Sequence, residues 1–159
     1  MKLFRSSGRF TARLLGLLFL GALRPTTELV RFVLDRKSIR ASEPRLKATA
    51  TREFLPRYDP MAKALAYSTF RIDRMMEEPI WELGKRFVGR AAGRSVKGRF
   101  DLPTRVYVEQ DLQPLFDNWP RRHVNILGWP DEEAARLSIA QELRAAVVEM
   151  KAFVDCPSS

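Results

Sequence analysis

Apolar and polar residues alternate along several short segments in the second half of the chain. In the segment 123–128, for example, Val124 and Ile126 share one side. A period of two is typical of strands that bury one face. The pattern predicts short strands over 67–73, 99–102, 112–117 and 123–128, and it favours a strand over 104–109, where a helical turn is the alternative.

Two further segments carry apolar residues at the spacing of an amphipathic helix. Pro79, preceded by two acids, marks the start of one, and Asp131, followed by two acids, marks the start of the other. Proline fits the first helical turn, and acids there face the positive end of the helix. These signals predict helices over about 79–91 and 131–153. Their apolar stripes are Ile80, Leu83, Phe87 and Val88 in the first, and Ile139, Leu143, Val147, Met150 and Phe153 in the second.

The order of these elements predicts an α+β fold, in which a small sheet of short strands is packed by two helices on one face. A chain of 159 residues has the length of one ordinary domain, which we place at 66–155. Residues 29–65 contain three prolines among scattered basic residues and predict an extended arm. Within the arm, 29–34 fits a short strand or one to two helical turns.

Residues 1–28 form a basic and apolar N-terminal extension. Its apolar run from Leu14 to Leu23 would span about 15 Å as a helix, about half of a bilayer core. A translation start placed too far upstream, or a dispensable extension, is our first interpretation. A signal or anchor is the second, although no clean cleavage site follows the run, and a transit peptide is the third. We therefore predict a cytoplasmic protein, with export or membrane tethering through residues 1–24 as the alternative.

The chain is basic, with 28 Lys and Arg against 19 Asp and Glu and a net charge of +9. Residues 1–60 account for +8 of this charge and residues 61–159 for +1. One run in the predicted domain holds six cations with no acid between them, which is either a solvated helix end or a surface that binds phosphate. This candidate anion- or nucleic-acid-binding run consists of Lys85, Arg86, Arg90, Arg94, Lys97 and Arg99.

Several kinds of site are excluded by composition and motifs. A single cysteine, Cys156, excludes an internal disulfide and a cysteine-based zinc site, and a single histidine excludes a His-rich metal centre. The sequence contains neither a glycine-rich phosphate loop nor a Gly-x-Ser-x-Gly elbow. These observations leave magnesium bound by Asp and Glu alone, for which no spacing singles out a site, and we predict no cofactor and no metal site.

The candidate catalytic group is the histidine at the entrance of the last predicted strand. Arg122 precedes His123, so a guanidinium could hold an anion while the imidazole gives or takes a proton. Either Asp101 or Asp117 would orient the imidazole if its strand pairs nearby. The set His123, Arg122 and Asp101 is the predicted catalytic site. The structural alternative is that His123 and Asn125 satisfy backbone groups at a strand edge.

Four strings in this order are familiar: 70–73 (FRID), 80–84 (IWELG), 100–102 (FDL) and the Arg-His-x-Asn-Ile-x-Gly-Trp-Pro motif at 122–130. Together they resemble a family of small prokaryotic proteins to which no activity is assigned. The resemblance covers about 29–152. It implies a bacterial or mobile-element context and brings no activity with it. It directs attention to Arg71, Asp101, Arg122, His123 and Trp129.

Two functions follow from these observations. The first is a non-enzymatic binding or accessory module with an anion-binding surface, whose partner would be a nucleic acid or another protein. The alternative is a small phosphate-handling enzyme, of the phosphodiesterase or nuclease type, that uses His123. The sequence predicts no stable transmembrane span and leaves the oligomeric state open.

Overall fold

An antiparallel sheet forms the centre of the protein in a computed structural model that describes residues 21–34, 51–60, 62–147 and 150–152. Six of its strands lie side by side in the order β5-β6-β3-β1-β4-β7, and β2 pairs with β3. All the pairs are antiparallel. The strands are β1 (Glu28–Val33), β2 (Arg57–Asp59), β3 (Ala64–Arg71), β4 (Gly98–Pro103), β5 (Gln113–Phe116), β6 (His123–Leu127) and β7 (Met150–Ala152).

Three helices pack on this sheet, so the α+β fold class is confirmed. Helix α1 (Glu77–Gly84) continues through a π-helical turn (Lys85–Gly89) and a short α-helical turn (Arg90–Ala92). Helix α2 spans Thr104–Val108 and helix α3 spans Glu133–Ala145. A 3-10 turn covers Arg52–Phe54. None of the helices in these described ranges is long and apolar enough to cross a membrane.

Strand β1 lies in the middle of the sheet, between β3 and β4. Leu29 and Val33 face one apolar cluster, while Val30 and Phe32 face the other. A strand buried on both faces has apolar residues at nearly every position, so apolar and polar residues alternate only weakly in β1. The segment predicted to be an arm therefore contributes a central strand, and the folded body includes residues 28–33.

The two predicted helices lie on opposite faces of the sheet, which corrects the expectation that both would share one face. Ile80 and Leu83 of α1 pack with one apolar cluster, and this side is called the α1 face below. Ala140 and Leu143 of α3 pack with the other cluster, on what is called the α3 face. Both faces are apolar because the central strands bury side chains in both directions.

The second predicted helix is shorter than expected. It ends at Ala145 rather than near residue 153, and residues 150–152 form β7 along the outer edge of β4. Without β7 that edge of β4 would expose unpaired backbone groups, and pairing there outweighs the helical period of the apolar residues. The spacing of apolar residues within 131–153 cannot show that the edge of β4 is available for pairing.

The segment 104–109, for which a strand was favoured, is helix α2. Its first backbone donors are satisfied by the chain that precedes β1. The Thr104 N–H and hydroxyl both donate to the Thr27 carbonyl, each at 2.9 Å, and the Arg105 N–H donates to the Pro25 carbonyl at 2.9 Å. These partners stabilise a helical start directly after Pro103. The strands predicted over 67–73, 99–102, 112–117 and 123–128 correspond to β3, β4, β5 and β6.

Candidate functional site: a cleft beside His123

The only histidine of the chain is held by an aspartate that directly follows the neighbouring strand, β5. Strands β5 and β6 pair with Phe116 opposite Val124, and this register places Asp117 across from His123 on the α1 face. Asp117 Oδ1 lies 2.7 Å from His123 Nδ1. The other carboxylate oxygen accepts a 3.2 Å hydrogen bond from Asn125 Nδ2. The three polar side chains form one connected group at the end of the hairpin.

The loop that joins β5 to β6 positions Asp117 and His123, which stand at its two ends. Asn118 and Arg122 both have left-handed backbone, with φ of 54° and 68°. The Asn118 Oδ1 accepts a hydrogen bond from the Arg122 N–H at 2.7 Å, and the Trp119 N–H donates to Asp117 Oδ1 at 3.2 Å. The His123 N–H donates to the Pro120 carbonyl at 2.9 Å. The carboxylate and the imidazole are therefore positioned by the same short loop.

The contact with Asp117 determines which nitrogen of the His123 ring carries the proton. A carboxylate accepts a hydrogen bond, so Nδ1 carries a proton and Nε2 is the acceptor of the neutral ring. The ring is also fixed by an edge contact with Phe70, at 5.5 Å between centroids and an interplanar angle of 72°. His123 is 7% exposed, and that exposure is to a cleft. The ring can therefore present Nε2 to a ligand.

The cleft is bounded by the helical turns that follow α1, by β1 and β3, and by the segment 53–57, and we call it the His123 cleft. Its volume is about 780 Å³. Among the residues that the structure describes, three arginines and one acid, Glu53, line it, so this lining is positive overall. Apolar side chains from both walls complete it. The lining residues include Arg31, Arg57, Arg94, Ser68, Phe32, Phe70, Phe87, Ala91, Ala92, Pro120 and His123.

Two of these arginines, half-buried Arg31 and exposed Arg94, are held by hydrogen bonds to backbone carbonyls. The Arg31 guanidinium lies 4.7 Å from the centroid of the Tyr67 ring and donates to the Ser68 carbonyl at 2.9 Å. Arg94 Nη2 donates to the Leu34 carbonyl at 3.3 Å. Each guanidinium has five N–H groups, so one such bond leaves donors for an anion while it limits the movement of the side chain. The cations are partly preorganised.

The structure places Asp101 away from His123, so the three residues of the predicted catalytic set do not lie together. Asp101 is on β4, and β3 and β1 separate β4 from β6, a distance of about 14 Å across three strand spacings. Its carboxylate lies 3.4 Å from Arg99 Nη2 and 3.9 Å from Lys151 Nζ. Asp117, the alternative, is the residue that orients the imidazole. The order of the strands decides between them.

Arg122 also differs from its predicted role. Its Nη1 donates to the carbonyls of Arg71 and Asp73, at 3.2 and 3.3 Å, and the side chain does not line the His123 cleft. Burial lowers the pKa of Arg122, although the charge of Asp73 opposes the shift. These bonds connect the β5–β6 loop to the end of β3, so Arg122 stabilises the position of the loop that carries His123.

Arg71 and Trp129, to which the resemblance directs attention, are buried in the fold. The Arg71 guanidinium contacts both carboxylate oxygens of Asp73 and donates to the Gly21 carbonyl at 2.6 Å. Burial raises the pKa of Asp73, but the hydrogen bond and charge of Arg71 outweigh it and hold that pKa below its ordinary value. Trp129 donates from Nε1 to the Ile126 carbonyl at 3.0 Å. Neither side chain lines the His123 cleft.

The predicted basic run divides into two parts. Four of its members, Lys85, Arg86, Arg90 and Arg94, are exposed, and Lys97 is half-buried. Arg99 does not belong to the surface, because it is 1% exposed and its Nη2 lies 2.7 Å from Glu77 Oε2.

A second concavity of about 570 Å³ is lined by Lys85, Arg90 and Arg94, with glycines and Ser95 between them. Arg94 lines both this concavity and the His123 cleft. Together, the cations of the two concavities form what we call the basic track. They are Lys85, Arg90, Arg94, Arg31 and Arg57.

Two cations of this track were missed by sequence reasoning. Arg31 and Arg57 lie in the segment predicted as an arm, where isolated arginines give no local signal. Among the residues that the structure describes, no cluster of three or more metal-ligating side chains occurs. Comparisons with protein-family models, curated proteins and solved structures give no match. The site is therefore interpreted from its own geometry.

Proposed function

We propose that this protein is a binding module that holds the phosphate groups of a nucleic acid along the basic track. The observation that carries the proposal is the sharing of Arg94 between two adjoining concavities. A nucleic acid presents phosphates at regular intervals, and neighbouring cations can neutralise several of them at once. An isolated anion would need only one of the two concavities.

The distribution of acids supports a polyanionic partner. Within the described part of the chain, Glu53 is the one acid that lines either concavity. Glu82, on the same helix as Lys85, lies 2.8 Å from Lys85 Nζ in an exposed pair. Exposed pairs of this kind contribute little, so Lys85 can exchange this partner for a phosphate. The track therefore attracts phosphate more strongly than the net charge of +1 over residues 61–159 implies.

The test is the salt dependence of binding to fluorescently labelled oligonucleotides, measured by anisotropy. We expect affinity to fall steeply between about 50 and 200 mM salt, because each phosphate contact releases counterions. Arg57→Gln and Arg90→Gln should each reduce the slope of the log–log plot by about 0.7–0.9. Arg105→Gln, an exposed arginine on α2 that lines neither concavity, is the matched control and should leave the slope unchanged. An affinity that does not respond to salt would refute the proposal.

A second candidate function is phosphodiester chemistry at His123, and the 2.7 Å contact between His123 and Asp117 favours it. In this candidate Nε2 takes or gives the proton, Asp117 is a positioning residue, and Arg31 and Arg94 replace Arg122 as stabilisers of negative charge. The test is cleavage of RNA and DNA oligonucleotides by the protein and by His123→Asn.

The two functions predict different results for these variants. For the enzyme, His123→Asn abolishes cleavage while binding persists, and Asp117→Asn lowers the rate and changes the pH profile. For the binding module, no cleavage is detected, and His123→Asn changes affinity alone. Cleavage that survives in His123→Asn would reject the enzymatic candidate.

The resemblance to small prokaryotic proteins, the bacterial or mobile-element context and the cytoplasmic location stay predictions from the sequence. None of the described contacts bears on them.

Pull-down from a bacterial lysate treated with nuclease would separate a nucleic-acid partner from a protein partner, because only the protein partner is retained after nucleic acid is digested.

A further inference from the structure

We infer that the His123 cleft receives one unstacked base of a single-stranded nucleic acid, and that Trp119 stacks on a neighbouring base. This inference rests on the proposed function and specifies its ligand. Phosphates need cations at a surface, but they do not need a cleft that is also lined by aromatic side chains. The composition of the cleft therefore indicates a second chemical group on the ligand.

The walls of the cleft suit a planar, weakly polar group. Phe70 and Phe87 are stacked at 6.3 Å with an interplanar angle of 19°, and both line the cleft. Ala91 and Ala92, exposed on the α1 segment, add small apolar surfaces. Nucleobases have apolar faces that pack against aromatic and aliphatic side chains. A volume of about 780 Å³ is enough for one nucleotide with water around it.

Polar groups at the floor of the cleft match the edge of a base. His123 offers Nε2 as an acceptor, because Asp117 fixes the proton on Nδ1. Ser68 also lines the cleft, and its hydroxyl can donate or accept a hydrogen bond. In a duplex the base edges are paired and the faces are stacked, so neither is available to such a cleft. Recognition by these groups requires a single strand.

An exposed tryptophan stands beside the cleft. Trp119 is 54% exposed, and the next residue, Pro120, lines the cleft. Arg121, which follows, is exposed as well. A large exposed aromatic side chain next to a cation is a typical platform for a base and its phosphate. Trp119 therefore extends the binding surface by one nucleotide beyond the cleft.

The experiment compares one labelled oligonucleotide as a single strand and as a duplex, at the same salt concentration. We expect the single strand to bind at least tenfold more tightly. Trp119→Ala should weaken binding of the single strand by about 5- to 150-fold, the range for loss of one stacked base. Val108→Ala, a similarly exposed apolar residue on α2, is the control and should leave binding unchanged.

A second variant tests the cleft itself without removing a core side chain. Ala91→Trp adds a bulky group at an exposed lining position, so the fold is retained while the cleft is filled. We expect this variant to lose the preference for the single strand and to keep a steep salt dependence. Fluorescence of a 2-aminopurine base placed in the oligonucleotide reports directly whether a base is unstacked when the wild-type protein binds.

The outcomes separate this inference from the proposed function. If neither single strand nor duplex binds, the proposed function fails. If both bind equally, with a steep salt dependence and no effect of Ala91→Trp or Trp119→Ala, the basic track binds nucleic acid and the base-binding inference is wrong.

Discussion

Gly84 lies inside helix α1, directly against the ring of Phe32 on the central strand β1. A Cβ at position 84 would be 2.5 Å from Cδ1 and Cε1 of Phe32. Carbon atoms in good contact are about 3.5–4.0 Å apart, so Gly84→Ala requires a shift of roughly 1 Å. Phe32 is 3% exposed, and its ring centroid is 6.0 Å from that of Phe70 and 6.5 Å from that of Trp81. The ring has little space into which it can move.

The magnitude of the effect follows from two opposing contributions. Alanine is favoured over glycine in a helix interior by about 1 kcal/mol. Overpacking of a well-filled core costs about 1–3 kcal/mol, and we expect a value in the upper half of this range because a central strand holds the ring. The net loss should be about 1–2 kcal/mol. For a folded body of this size, that loss lowers the melting temperature by roughly 3–10 °C.

The assay is urea and thermal unfolding, followed by circular dichroism, of a double-mutant cycle with Phe32→Leu. In the Phe32→Leu background the smaller side chain leaves space, so Gly84→Ala should be neutral or stabilise by up to about 1 kcal/mol. Gly93→Ala is the control. Gly93 has φ of +62° with nothing within 4 Å of an added Cβ, so its cost is backbone strain and should be equal in both backgrounds. A Gly84→Ala protein more stable than the wild type would refute the packing of α1 on β1.

Three other predictions concern titration and burial. The lowered pKa of Asp73 stabilises the folded state above the unfolded value of about 3.9, and this contribution is lost as pH falls through the native pKa. The stability difference between wild type and Asp73→Asn should therefore shrink from pH 7 toward acid, and a difference independent of pH would contradict it. Burial raises the pKa of Tyr67 and of Tyr107, so their phenolate absorbance should appear only as the protein unfolds at alkaline pH, and earlier ionisation would contradict their burial. Trp129→Phe should cost about 1–3 kcal/mol, because it leaves the Ile126 carbonyl without its 3.0 Å hydrogen bond, whereas the exposed Trp119→Phe should change stability by less than about 0.5 kcal/mol in the same unfolding assay.

The elements that could be predicted are those whose own residues carry the signal, such as an apolar–polar alternation or acids at a helix start. Strand β6 alternates, and its Val124 and Ile126 are buried on the α3 face as the pattern predicts. Helix α1 begins beside acidic residues, as expected. The end of α3 was not predictable, because residues 150–152 leave the helical pattern to pair with β4, whose free edge depends on the order of all the strands.

The site was predicted only in part for the same reason. His123 was identified from its chemistry, and two aspartates were considered as its partner. The β5–β6 register selects Asp117, and Asp101 lies on a strand that only the sheet order places at a distance. Arg99 was assigned to the surface from its charge. It is buried because its side chain lies on the α1 face with Phe32, its register partner, where Glu77 reaches it.

The net charge of a segment also proves to be a poor measure of the charge at a site. Residues 1–60 carry +8, an excess that lies within the predicted N-terminal extension and arm. The fold places two of those cations, Arg31 and Arg57, in the His123 cleft, while it removes Arg99 from the surface into an ion pair with Glu77. Because Coulomb interactions depend on distance in space, the two arginines contribute positive charge near His123, whereas the charge of Arg99 is offset by Glu77. The case for anion binding therefore rests on which side chains the sheet brings together, and it would be the same for a chain with no excess charge overall.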